Sequence, residues 1–253
     1  MNSETFQNKK QIFKAVTKHS GKLKTLFEVI FSNMTVANWK IDKKGMFLEE
    51  MTNQNLLMNI FLPAESFQEY FFEGETIYIG LGNHINKEFF KSVKNKDVIT
   101  MSMTEPFFFN FEKINQQISQ SLCVSIQDIQ VITPAIFPSF QTSFIELLGD
   151  NFNQLCRSFT SYIVNLTKKN NQIEFSFDTG RSIKKLICGT LDELNPVLIH
   201  RSFSSEQFSR ISKIHTFTNS PIKVFYEENK PLCFICESLI GCLKILIHEK
   251  IND

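Results

Sequence analysis

The sequence predicts an α+β fold used twice, on three observations. An apolar stripe at helical spacing (Leu23, Leu26, Phe27, Ile30, Phe31) is followed by a hairpin pattern. The same order restarts with Phe152, Leu155 and Phe159, at an offset of about 125 residues. Between the two runs, residues 127–142 hold Pro134 and Pro138 and lose all helical periodicity, which marks a connector. The predicted boundaries are a first domain at 1–126, the connector at 127–142 and a second domain at 143–253. A chain of 253 residues can give each half its own core.

After a polar lead of ten residues, Ile12 to Val16 alternates as a strand, and the first helical stripe follows. Residues 36–42, the turn Lys43-Lys44-Gly45 and residues 46–51 form a hairpin. Residues 56–62 and 76–81 are strands, and 85–93 a short helix with Phe89, Phe90 and Val93 inward. Strands at 97–103, 107–111 and 122–126 close the first half. The second half repeats this with a hairpin at 163–169 and 173–177, a helix at 206–217, and strands at 222–226, 232–237 and 243–247.

Net charge is +1, so any nucleic-acid surface must come from charge segregated onto one face. The first residues lack the apolar core of a secretion signal, and residues 232–247 are too short and too charged to span a bilayer. A soluble intracellular protein with no membrane partner is expected. The six cysteines lie in apolar segments and read as reduced core residues. Phe is abundant at 27 copies, and runs such as Phe107-Phe108-Phe109 read as core.

No catalytic or metal constellation emerges. Cys233-x-x-Cys236 lies within a strand, where positions three apart face opposite sides and cannot close on one ion. Gly80-Leu-Gly82 lacks the third glycine or Gly-Lys-Ser ending of a phosphate loop. The pairs Glu49-Glu50 and Glu227-Glu228 read as solvated charge at turns. A non-enzymatic binding role without cofactor or metal is expected. What recurs is cation placement off each helical stripe: Lys22 and Lys24; Lys87, Lys91 and Lys94; Arg157; Arg210 and Lys213. On helices lying on one side of the sheets, these would form a surface for phosphates without base readout.

Phe13-x-Ala15, Leu23-Lys24, Trp39-x-Ile41-x-x-x-Gly45, Met51 and Asp97-Val98-Ile99-Thr100 resemble the proliferating cell nuclear antigen family. Phe152-x-x-x-Cys156-Arg157, Phe175-Ser176, Lys213, Pro231-Leu232, Gly241-x-Leu243-Lys244 and Lys250-Ile251 continue the likeness in the family's order. The resemblance implies two duplicated sliding-clamp domains with antiparallel sheets outside and two helices per domain lining a DNA channel. It implies a DNA polymerase processivity factor: a homotrimeric ring encircling double-stranded DNA and tethering replication and repair proteins by short peptide motifs.

Carried over to this sequence, the channel cations are Lys24, Lys91, Arg157 and Lys213. The peptide pocket is Met51, Met58, the connector with Ile132, Ile136 and Phe137, then Pro231 and Leu246. The ring contact pairs the strand of Phe107, Phe109 and Phe111 with that of Ile183, Lys185 and Ile187 in the next subunit. Glu88 and Gln154 replace family cations, and Asn55 and Leu246 replace a His and an aromatic of the pocket. The family's acidic outer surface is missing, which leaves the clamp loader open. Expected sites of action are the nucleus or, for a large DNA virus, a cytoplasmic replication site. Rival readings are a heterotrimeric checkpoint-type clamp subunit, a viral processivity factor that closes no ring, and an enzyme of unrecognised type.

Overall fold

The structure, a computed structural model, describes residues 10–52, 56–115, 117–127, 137–140, 144–169, 171–190 and 198–250. The first half runs β1 (Phe13–Thr17), α1 (Ser20–Asn33), β2 (Val36–Asp42), β3 (Gly45–Met51), β4 (Leu56–Pro63), β5 (Glu69–Phe72), β6 (Ile77–Gly82) and α2 (His84–Glu88). It ends with β7 (Val98–Glu105), β8 (Phe108–Ile114) and β9 (Ser119–Ser125). The second half runs β10 (Ile145–Leu147), α3 (Gly149–Ser158), β11 (Ile163–Lys169), β12 (Gln172–Asp178) and β13 (Ile183–Gly189). It closes with β14 (Leu198–Ser204), α4 (Ser205–Ile211), α5 (Ile214–Phe217), β15 (Ile222–Phe225), β16 (Leu232–Ser238) and β17 (Gly241–Ile247).

The repeat is finer than the sequence suggests. One unit, a strand, a helix and a three-strand meander, occurs four times, starting at β1, β6, β10 and β14. Within each half the units exchange first strands: β1 joins β7-β8-β9, and β6 joins β2-β3-β4. Likewise β14 joins β11-β12-β13, and β10 joins β15-β16-β17. Pairing of β17 with β4, from Cys242 opposite Phe61 to Ile247 opposite Leu56, fuses the halves into one eight-stranded antiparallel sheet.

Strand parity gives this sheet two faces. On the inner face Trp39, Met58, Ile60, Phe234 and Ile245 are buried in one continuous core with the helices. There Phe27 of α1 stacks on Phe90 with ring centroids 4.4 Å apart, and Phe152 of α3 meets Phe234 edge-on at 5.4 Å. The outer face carries Phe47 stacked on Phe61 at 4.4 Å, and a smaller apolar cluster of Leu57, Cys233 and Leu246. Two tight turns fix the meanders. Gly45 and Gly241 adopt φ of 147° and 143°, and a Cβ there would sit 2.2 Å from Leu62 O and 2.1 Å from Phe61 O.

Several expected elements change form. The helix expected at 85–93 is α2 followed by a 3-10 turn at Phe90–Ser92, and the one at 206–217 breaks into α4 and α5. Glu49 and Glu50 lie in β3 rather than at a turn, and Glu50 accepts hydrogen bonds from the backbone N–H and side-chain amide of Asn38. Burial pushes the Glu50 carboxyl up from its ordinary value, and the Asn38 N–H opposes that.

Candidate nucleic-acid interface

The helices of both halves meet in one layer on the inner side of the shared sheet. Lys22 Nζ on α1 donates to Thr216 O on α5 (2.8 Å) and to Thr218 O (2.9 Å), and the Thr25 and Thr216 hydroxyls lie 3.1 Å apart. Arg210 of α4 donates to Ser32 O at 2.9 Å and pairs with Glu206, while Lys213 pairs with Glu28 of α1 at 2.8 Å. Partial burial pulls the Lys22 ammonium below its ordinary pKa, as expected of a cation withdrawn from water.

These bonds divide the eight predicted cations. Lys24 turns onto the carbonyls of Lys91 (3.3 Å) and Val93 (3.1 Å). With Lys22, Arg210 and Lys213 it is already engaged within the chain. Lys87, Lys91, Lys94 and Arg157 are exposed, and among the described residues no ion pair or hydrogen bond holds their side-chain charges. An open groove of about 530 Å³ runs over the first-half helices, lined by Lys18, His19, Lys22, Lys24, Glu28 and Asn95. The layer therefore presents exposed cations suited to phosphates, a contact that carries no base readout.

On the opposite face of the sheet, one transverse row runs through aligned positions: Phe225, Cys233, Leu246, Leu57 and Met51. Leu246 lies in this row as expected, and Met51 ends it at 46% exposure. Met58 does not belong to it: one position from Leu57 in β4, it faces the main core and is fully buried. Pro231 is half-buried just before β16, and Phe137 packs on the cluster. Ile132, Ile136 and Asn55 lie outside the described residues. Sequence reading missed Leu57, Cys233, Phe140 and Phe225; strand parity applied outward from Leu246 finds the first two.

The strand expected to offer a free edge differs too. β8 is flanked by β7 and β9, and Phe109 and Phe111 are core residues with no exposure, so that strand has no free edge. Phe107 is exposed in the turn before β8. The free edge is β9, seven residues long. In the second half β13 is the matching edge, with Ile183 and Ile187 exposed and Lys185 paired to Glu174 at 2.8 Å. Other edges are shorter or partly covered: Gln127 bridges to Gly80 on β6, and the Lys250 N–H donates to Ser202 O on β14 at 2.9 Å.

Four repeated units, strand-swapped in pairs, with helices on one face of a shared sheet, define a sliding-clamp fold. Residues 12–132 match the family described as "Proliferating cell nuclear antigen, N-terminal domain". The crystal structure of proliferating cellular nuclear antigen from Entamoeba histolytica superposes with a TM-score of 0.84 at 15% identity, covering 96% of this chain and 100% of that one. The chain is thus PCNA-like in its N-terminal family match and in its whole fold, which are those of a non-enzymatic scaffold. A third likeness, 27% identical over 209 residues, is to the DNA-directed RNA polymerase subunit beta'' of Oedogonium cardiacum. The chain spans 72% of its own length there but 7% of that protein.

Proposed function

We propose that this chain is a DNA polymerase processivity factor that acts as a closed ring of three copies around duplex DNA. The carrying observation is the single helical layer: both halves present their helices, with Lys87, Lys91, Lys94 and Arg157 uncommitted, on one face of one sheet. A surface of mobile cations binds phosphates of any sequence and lets the duplex slide. Self-assembly uses β9 of one copy against β13 of the next, because two exposed seven-residue edges are otherwise templates for aggregation and ring closure removes both. The outer row ending at Met51 takes short apolar-aromatic peptides from the polymerase and other replication and repair proteins. Where the duplex is replicated, in a nucleus or a viral factory, is where such a ring acts.

Light scattering on the pure protein tests the assembly. Three times the chain mass of 29.4 kDa supports the ring, and a monomer at micromolar concentration refutes it. Assembly only with a different chain would make this a heterotrimer subunit instead.

A further inference from the structure

The outer row is already occupied. Phe137 and Phe140 pack on Leu57, Cys233 and Leu246, and the Phe140 ring lies 5.2 Å from that of Phe225. Two lysines hold the pair: Lys244 Nζ sits 5.4 Å from the centre of the Phe137 ring and Lys230 Nζ 5.6 Å from that of Phe140. Lys230 also donates to Ser139 O at 2.6 Å, fixing the backbone between the two rings. Cys233, beneath them, has no exposed surface.

This is the geometry of a bound peptide: two aromatic anchors three residues apart on an apolar row, with a backbone carbonyl captured by an ammonium. We propose that the segment Phe137-Pro138-Ser139-Phe140 is a tethered occupant of the partner groove, which an incoming aromatic peptide must displace. The inference rests on reading the row as the partner site, and it narrows the partner class to peptides with two aromatics at this spacing. A tether of a few residues gives the segment an effective concentration in the millimolar range, so it competes well even when its intrinsic affinity is weak. The open end at Met51 is where a displacing peptide gains its first contact.

Cys233 reports the state of the groove. Its rate of alkylation by iodoacetamide, resolved by peptide mass spectrometry, is compared with that of Cys236, which faces the core from the same strand. In F137A/F140A the Cys233 rate rises at least tenfold while Cys236 stays protected. K230A/K244A, which leaves every apolar side chain in place, gives a smaller rise in the same direction. A synthetic peptide of residues 135–142 added in trans returns the F137A/F140A rate toward the wild-type value. Unchanged Cys233 labelling in both variants, relative to Cys236, overturns the proposal. Failure of the partner-site reading looks different: Met51→Glu would leave binding of a polymerase C-terminal peptide intact while the Cys233 pattern held.

Discussion

Neutralising Lys91 and Arg157 together tests the nucleic-acid face most directly. Both charges are exposed and uncommitted, so each is free to release a counterion on meeting a phosphate. Each such contact contributes about 0.9 to the negative slope of log K against log salt, so K91A/R157A flattens the slope by about 1.8. At 0.1 M salt that corresponds to roughly a 60-fold loss of affinity for a short duplex. The matched pair K24A/K213A removes the same formal charge but from ends already bonded, to carbonyls near 3.2 Å and to Glu28 at 2.8 Å. Those bonds must break before a phosphate is reached, so the slope changes by less than about half as much. Fluorescence anisotropy of a labelled duplex across 50–200 mM salt reads both slopes. Unfolding temperature and assembly mass stay constant for K91A/R157A, since exposed unpaired cations contribute little to folding. Equal slope losses for the two pairs refute the division into free and committed cations. No loss in either removes the DNA reading of this face.

Glu28→Gln frees Lys213 and steepens the same slope by about 0.9, with duplex binding tighter by roughly eightfold at 0.1 M salt; no change means Lys213 points away from the duplex. Lys22→Ala loses two charge-assisted bonds at a partly wet site and costs about 1 kcal/mol, or a fall of about 2–4 °C in calorimetric unfolding temperature, with the salt slope unaltered. I183D/I187D puts charge on the exposed apolar positions of β13 and yields monomers by light scattering, while far-ultraviolet dichroism stays native; a persistent trimer moves the interface elsewhere. Met51→Glu weakens a polymerase C-terminal peptide at least tenfold by calorimetry, and equal binding places the partner site off the outer row.

Much of the fold was legible because period-2 and period-3.6 patterns survive in single sequences. The stripe Leu23 to Phe31 became α1, and the hairpin around Gly45 formed as read, since only glycine fits that φ against the Leu62 carbonyl. The fourfold unit was hidden because α2 is five residues and β10 three, too short to show a period. The strand exchange between units was also unreadable: it is a long-range pairing that leaves no local pattern. The free strand edge was misplaced for a related reason. Phe107, Phe109 and Phe111 look like a sticky edge, yet a Phe-rich alternation is what a strand with one fully buried face requires, and the true edge β9 alternates exposed polar residues such as Ser119, Ser121 and Ser125. Commitment of Lys22, Lys24 and Lys213 within the chain was beyond any sequence, because their partners lie between 67 and 196 positions away; the Glu206–Arg210 pair, four apart on α4, has a spacing that a sequence can show.

The two surfaces proposed to bind DNA and partner peptides lie on opposite faces of one sheet by strand parity, which also makes them independent. In β4, Leu57 serves the outer groove while Met58 is locked into the core beneath the helices; in β16, Cys233 and Phe234 divide the same way. Neighbouring residues thus belong to opposite faces, and a one-residue slip in register would exchange them. The β17–β4 ladder forbids that slip, because it would turn Leu243, Ile245 and Ile247 with Leu56, Met58 and Ile60 out of the core and turn Lys244 and Asn59 into it. That ladder also joins the halves, so the feature that aligns the helices into one cationic layer is the one that assembles the apolar row behind it. Under the proposed function, a partner peptide therefore binds and leaves the outer row without disturbing the helical layer. A processivity factor of the proposed kind needs that separation, because its tethered enzymes exchange while it stays on the duplex.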